Sequence, residues 1–178
     1  ATWTMGIRGS GLSFDGIDDY VDLGNPPGLQ PEHVSLSVWF KTDTSGGTIL
    51  RKRWYGYCLE VLPSGQTAFW IYDAAARKFI ATSPNAYNDN TWHHAVGVYD
   101  GAEVKLSIDG TLVATVSAGA INYGGGGIAI GRDGDYGGAY FNGIIDEIRV
   151  YGRALNDQEI QNLYNVGTVA STTKNTVA

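Results

Sequence analysis

Two stretches decide how this chain reads: Leu12-Ser13-Phe14-Asp15-Gly16-Ile17-Asp18-Asp19-Tyr20-Val21 near its start, and Phe141-Asn142-Gly143-Ile144-Ile145-Asp146-Glu147-Ile148-Arg149-Val150-Tyr151 towards its end. Each sets carboxylates beside a run of large apolar residues suited to a β-strand. In the second, Ile144, Asp146, Ile148 and Val150 fall on one face at period two, so the Asp146 carboxylate is expected to point inward. A buried carboxylate is costly unless a cation or hydrogen-bond donors meet it. If the two strands are neighbours, Asp15 and Asp18 converge on Asp146. Calcium, which takes about six to eight hard oxygen ligands, is the ion that suits such a set, in a structural role. The alternative needs no metal: Asp15, Asp18 and Asp19 make Asx turns, and Asp146 accepts from backbone amides.

Working outward, alternation at period two recurs at Leu36, Val38 and Phe40, at Leu59 and Val61, at Phe69 and Ile71, at Val96 and Val98, and at Val104, Leu106 and Ile108. Each set predicts a strand with one core face. Pro63-Ser64-Gly65, Asp100-Gly101 and Asp109-Gly110 supply the turns between them, the last with hairpin chemistry. The chain has 178 residues, with 25 glycines, 11 tyrosines and 5 tryptophans against a single methionine, which predicts one all-β domain rather than a helical bundle. One helix is expected from near Asp157. Asn156 caps it, Glu159 completes a capping box, and Leu155 staples to Ile160. Its end is expected by Gly167, with Ile160, Leu163 and Tyr164 packed over an edge or end of the sandwich. The domain is thus read as residues 1–167. The segment 168–178, rich in Thr and small residues, reads as a linker-like tail leading to a neighbouring domain.

Only 12 basic residues against 18 acidic ones, for a formal charge of −6, exclude a phosphate-neutralising surface, so no nucleic-acid partner is expected. No stretch approaches a membrane span. Without a leader or an initiator methionine, the chain reads as a mature or excised piece. The lone Cys58 can form no internal disulfide and is read as a small buried hydrophobe.

The segments Phe14-Asp15-Gly16 to Val21, Ser37-Val38-Trp39-Phe40-Lys41, Thr91-Trp92-His93-His94-Ala95-Val96-Gly97-Val98-Tyr99-Asp100-Gly101, and Ile128-Ala129-Ile130-Gly131 through Arg153-Ala154-Leu155 together resemble the laminin-G-like branch of the concanavalin A-like jelly rolls. The likeness covers most of residues 10 to 165. It implies a jelly-roll β-sandwich, points to the same calcium ion, and implies an extracellular binding module of the kind attached to secreted polysaccharide-degrading enzymes and surface proteins.

A strand buried on one face should show small or charged residues on the other. Here Trp70 and Tyr72 oppose Phe69 and Ile71, and Trp39 shares a face with Ser35, Ser37 and Lys41, a mixture that suits a sugar groove. Burial beneath loops is the competing reading for these rings. Arg53-Trp54-Tyr55 and Arg132-Asp133-Gly134-Asp135-Tyr136 add planar and charged groups on loops. The candidate ligand residues are therefore Trp39, Trp54, Tyr55, Trp70, Tyr72, Arg132, Asp135 and Tyr136, with the concave sheet and the loop rim both open as the site. Asp133-Gly134-Asp135 is a second acidic turn, fitting either an exposed loop or a further calcium.

Catalysis is not expected. Retaining glycan hydrolysis needs two carboxylates about 5 to 5.5 Å apart, and Asp146 and Glu147, as strand neighbours, should face opposite ways. The same holds for His93 and His94, read as structural. No nucleophile elbow or zinc spacing is present. The expected function is a non-catalytic carbohydrate-binding module that tethers a larger secreted protein, a glycoside hydrolase or lyase for instance, to a polysaccharide or oligosaccharide. A protein-binding adhesion module and a glycan-cleaving enzyme are the alternatives.

Overall fold

The computed structural model describes residues 1–134 and 138–174, with side chains described through residue 168. Among the described residues, besides a short 3-10 turn at Pro27–Leu29, there are thirteen strands and one α-helix. They are β1 (Thr2–Met5), β2 (Ser10–Asp15), β3 (Val21–Asp22), β4 (Val34–Lys41), β5 (Gly47–Lys52), β6 (Tyr57–Val61), β7 (Gln66–Tyr72), β8 (Lys78–Ala86), β9 (His93–Tyr99), β10 (Glu103–Ile108), β11 (Thr111–Ser117), β12 (Ile128–Ile130), β13 (Asn142–Tyr151) and α1 (Asp157–Lys174). A seven-stranded sheet in the order β1-β2-β13-β4-β9-β10-β11 faces a six-stranded sheet in the order β3-β12-β5-β6-β7-β8, every pairing antiparallel. This is the jelly-roll sandwich that the alternation predicts. Asp109 and Gly110 both take positive φ at the β10–β11 hairpin, as the turn chemistry requires.

The core lies between the sheets. Leu36, Val38 and Phe40 of β4 and Val104, Leu106 and Ile108 of β10 meet Leu59 and Val61 of β6 and Phe69 and Ile71 of β7. Val96 and Val98, read as members of this core, point the other way. They form a second cluster with Leu155 and Ile160 on the outer face of the seven-stranded sheet. The inward positions of β9 are Ala95, Gly97 and Tyr99. Gly97 leaves the space that the Phe69 ring fills, and a Cβ there would collide with it.

The helix starts as the sequence predicts. Asn156 Oδ1 accepts from the Glu159 amide at 2.9 Å, and Glu159 Oε2 accepts from the Asn156 amide at 2.9 Å. Its end and its seat differ from the expectation. It continues past Gly167 to Lys174, so that the segment 168–174, read as tail, is helical. It covers the outer face of the seven-stranded sheet rather than an edge or end of the sandwich. Gly167 is a packing residue here and not a helix terminator, because any Cβ at that position would strike the Trp39 indole. No helix among the described residues is long and apolar enough to cross a membrane.

Beneath α1, the Trp39 ring stacks on His94 at 5.1 Å and on Tyr164 at 5.6 Å between centroids. The Ser37 hydroxyl meets His94 Nε2 at 2.9 Å, and Ser35 Oγ donates to the Arg153 carbonyl and accepts from the Leu155 amide. The polar members of the β4 outer face thus anchor the chain entering the helix. Burial holds His94 down to a pKa of about 4, with the Asp109 charge opposing the shift in part and the Arg149 charge adding to it. An unfolded histidine titrates near 6.5, so the unfolded state takes up this proton first as pH falls. The resulting stability is whole above pH ~6.5 and is lost between there and pH ~4, amounting to about 3 kcal/mol. Guanidinium unfolding at pH 7 and pH 4.5 should therefore show a smaller acid loss for His94→Phe than for the parent chain.

Candidate functional site

The outer face of the six-stranded sheet carries a row of residues set by strand register: Asp22, Ala129, Arg51, Cys58, Trp70 and Ile80 lie side by side across β3, β12, β5, β6, β7 and β8. Trp70 is only 2% exposed. Its indole N–H donates to Glu60 Oε1 at 2.7 Å, the Lys78 ammonium lies 4.2 Å from its ring centroid, and the Arg51 guanidinium lies 5.0 Å away. Arg51 in turn pairs with Asp133, which ties the loop after β12 down over this face. The centre of the face is closed by its own charges.

Accessibility rises towards one end. The half-buried Tyr72 meets Trp70 edge-on at 5.3 Å and 81°, and Tyr55 meets Tyr72 edge-on at 5.5 Å and 85°. Tyr55 is 42% exposed and Trp54 63%. The two outermost rings sit on consecutive residues with φ of 53° and 67°, a left-handed conformation that bulky side chains rarely adopt. The loop is held in it from both sides. The Arg53 amide donates to the Gly127 carbonyl at 2.9 Å, the Gly56 amide to the Asn122 carbonyl at 2.7 Å, and the Asn122 amide to the Tyr72 carbonyl at 2.8 Å. The segment 122–127 passes so close beneath that a Cβ on Gly124 would collide with the Trp54 carbonyl oxygen. Backbone strain kept at exposed aromatics is a mark of a surface shaped for a ligand.

The candidate ligand residues therefore separate into three places. Tyr55, Tyr72 and Trp70 come together as a chain of edge-on rings with Trp70 at its buried end, and Trp54 is exposed on the same loop next to Tyr55. Trp39 lies under α1 at 3% exposure and is no part of a groove, because the helix claims that face. The Arg132 guanidinium stacks 3.5 Å from the Tyr20 ring centroid, next to the Asp15–Asp19 turn rather than beside Trp54. Asp135 and Tyr136, and with them half of the second acidic turn, fall outside the described residues. Glu60 and Lys78 are members that the sequence reading passed over, while Asp133, read as part of an acidic turn, pairs here with Arg51. Strand parity carried the signal for the first two, since Glu60 shares a face with Cys58, and Lys78 pairs with Tyr72.

The acidic set is also rearranged. Asp15 and Asp18 lie with Asp19 in one group whose carboxylate oxygens are all within 4.8 Å of one another. Amides of Ile17 and Asp18 donate to Asp15 Oδ1 at 2.8 and 3.3 Å, and the Ile17 bond is the main reason its carboxyl stays below the usual range. Asp146 does not join them. Asp15 pairs with Asn142, and Asp146 stands four positions further along β13, roughly 13 Å away at a strand's rise. Its carboxylate accepts from the amides of Arg8 at 3.0 Å and Glu147 at 2.8 Å. Those donors, one from a turn packed against β13 and one from β13 itself, meet the buried charge. A bulge at Glu147, where φ is 52°, also undoes the strict alternation, so Asp146 and Glu147 both border a crevice of about 180 Å³ beside Trp3. Glu147 is paired there with Arg149. His93 is held between Asp109 at 2.8 Å and Asp89 at 3.1 Å, a structural clamp.

The family model described as the concanavalin A-like lectin/glucanases superfamily matches residues 15–161. The β subunit of N,N-dimethylformamidase from Alcaligenes sp. is 25% identical in an alignment that covers 81% of this chain and 24% of that protein, so the chain spans about a quarter of this relative. Among solved structures, the binding domain of Paraclostridial Mosquitocidal Protein 1 superposes with a TM-score of 0.76 at 13% identity, over 93% of this chain and 45% of that one. Domain 4 of the extracellular arabinanase AbnA from Geobacillus stearothermophilus, solved with arabinotriose, gives 0.74 at 22% identity, over 91% and 80%. The Ruminococcus gnavus sialidase module CBM40, solved with α2,3-sialyllactose, gives 0.65 at 17%, over 86% and 98%.

The loop geometry yields a direct test. Gly124→Ala should push the 53–56 loop away from the sheet, costing about 1–3 kcal/mol as an overpacked site does, and should shift tryptophan fluorescence as Trp54 changes its surroundings. With two facing antiparallel sheets, the matched stretch of 147 residues from 15 to 161 and these superpositions, the chain belongs to the concanavalin A-like lectin/glucanase superfamily.

Proposed function

We propose that this domain binds carbohydrate without cleaving it, through the Trp54, Tyr55 and Tyr72 rings at the end of the six-stranded sheet, and that it tethers a larger secreted protein to a polysaccharide. The observation that carries the reading is the pair of exposed aromatics held in a strained backbone on one loop, with Tyr55 linked through Tyr72 to a buried, charge-braced tryptophan. Sugar rings offer C–H patches to such faces while their hydroxyls find carboxylate, amide and guanidinium partners. Structural relatives solved with arabinotriose and sialyllactose support the ligand class. The tethering role follows from mass action: a modest site raises the local concentration of whatever is attached to it.

The perpendicular setting of Tyr55 and Tyr72 also bears on the form of the ligand. Both rings cannot lie on one flat surface, so the site suits soluble, twisted chains rather than a crystalline face. Affinity electrophoresis in gels containing soluble arabinan, xylan, galactan or β-glucan should show retardation by at least one of them, with no matching adsorption to microcrystalline cellulose. Trp54→Ala and Tyr55→Ala should each weaken that retardation by about tenfold or more, as loss of an aromatic anchor does. Retardation by none of these polymers would overturn the reading.

Calcium at the Asp15–Asp19 turn belongs to the same proposal. The three clustered carboxylates supply hard oxygen donors on an exposed turn where carbonyls can complete the shell, while the displaced Asp146 plays no part. Saturating calcium over chelator should raise the melting temperature by about 5–10 °C, since binding at about a hundred times Kd adds ~2.7 kcal/mol. Asp18→Asn should abolish that increment.

One observation favours a second reading. Trp3 and Met5 on β1 are 75% and 74% exposed on a sheet edge, a surface that suits a protein partner better than a sugar.

A further inference from the structure

The end of the sandwich that bears Trp54 and Tyr55 holds a second recess, which the proposal above does not use. The segment leading into β4, the β9–β10 turn and the segment after β11 enclose about 330 Å³, lined among others by Gln30, Glu32, Tyr99, Gly101, Ile121 and Tyr123. Its walls are fixed in place. The Tyr99 hydroxyl donates to the Gly119 carbonyl at 2.9 Å and accepts from the Ile121 amide at 3.2 Å. The Tyr123 hydroxyl donates to the Pro31 carbonyl at 2.8 Å. Both phenols are thus spent on holding the loops; the Tyr99 ring is packed into the core at 1% exposure, and the partly exposed Tyr123 ring is left as aromatic surface within the recess.

What remains to address a ligand is chiefly the Glu32 carboxylate, which is exposed to solvent. It lies close enough to Tyr99 that its charge, after burial and together with Asp100, raises the phenol's pKa. The Gln30 side-chain amide already donates to Asn25 Oδ1 at 3.0 Å, which fixes its orientation and directs its nitrogen at that partner. The recess thus offers one aromatic wall at Tyr123, an apolar one at Ile121 and a hydrogen-bond acceptor that carries negative charge, and no Lys or Arg is among its lining residues. Its volume sits at the lower end of the ~300–1,000 Å³ range of small-ligand sites. A carboxylate accepts hydroxyl hydrogens, donates none, and repels other carboxylates.

We propose that this recess is a second carbohydrate subsite, separate from the aromatic rim, that takes one uncharged sugar residue. Glu32 accepts from its hydroxyls, and uronic or other acidic sugars are turned away. The subsite does not rest on the function proposed for Trp54 and Tyr55, and each can fail without the other.

The test records amide spectra of the ¹⁵N-labelled chain with L-arabinose, D-xylose, D-glucose, D-galactose and D-glucuronate in turn, at concentrations on the order of 100 mM because single-residue sites are weak. At least one neutral sugar should shift the amides of Gly101, Ala120 and Ile121, and glucuronate should leave them in place. Those shifts should persist in Trp54→Ala and weaken about fivefold or more in Glu32→Ala, a surface change that leaves the core untouched. Silence at these amides with every neutral sugar, equal shifts with glucuronate, indifference to Glu32→Ala, or loss in Trp54→Ala would each overturn the proposal. The last of these would assign the shifts to the rim instead and leave the rim reading intact.

Discussion

Burial of the central strand β4 on both of its faces governs the architecture. Every residue from Val34 to Phe40 is buried. Leu36, Val38 and Phe40 face the opposing sheet, while Ser35, Ser37 and Trp39 face α1. A helix therefore occupies the outer side of the seven-stranded sheet over β4 and β9, and its presence covers that part of the sheet. The aromatic stack of Trp39, His94 and Tyr164 thus fixes the helix over the centre of that sheet. The six-stranded sheet has no helix over it among the described residues, and it is the face to which the proposed recognition is assigned.

On that remaining face, order and exposure are graded. Arg51, Lys78 and Glu60 enclose Trp70, so the deepest ring is immobilised by charges that are themselves paired. The outer rings are held instead through their backbone, in a conformation that costs of order 1–3 kcal/mol at each strained residue and persists because the 122–127 segment leaves no room for another. A platform made in this way is rigid before any ligand arrives. Under the function proposed above, binding would forfeit little side-chain entropy, which matters for a shallow site that must displace well-held water.

Much of this was legible in the sequence, for reasons that can be named. Period-two alternation located the strands because each sheet has one face in a common core, and the Asn156–Glu159 pair marked the helix start because its hydrogen bonds are local. What failed depended on distant partners. Whether Trp39, Val96 and Val98 faced solvent or protein turned on where a helix 120 residues later in the chain would settle, roughly the span from Trp39 to Asp157. The convergence of Asp15 with Asp146 needed the register of β2 against β13, and adjacency alone does not set register. Gly167 read as a stop because glycine usually ends helices, while its real constraint was the indole beneath it.

Cys58, the chain's single cysteine, occupies the outward row between Arg51 and Trp70 and is wholly buried beneath them. Burial above all, with the Glu60 charge adding, pushes its thiol well above the usual range, so in the closed face it is neither accessible nor ionised. The sulfur can react only when the ion-paired cover above it lifts. Its rate of alkylation by a small maleimide is accordingly a built-in gauge of how often the recognition face breathes, read without adding any label or altering a single residue.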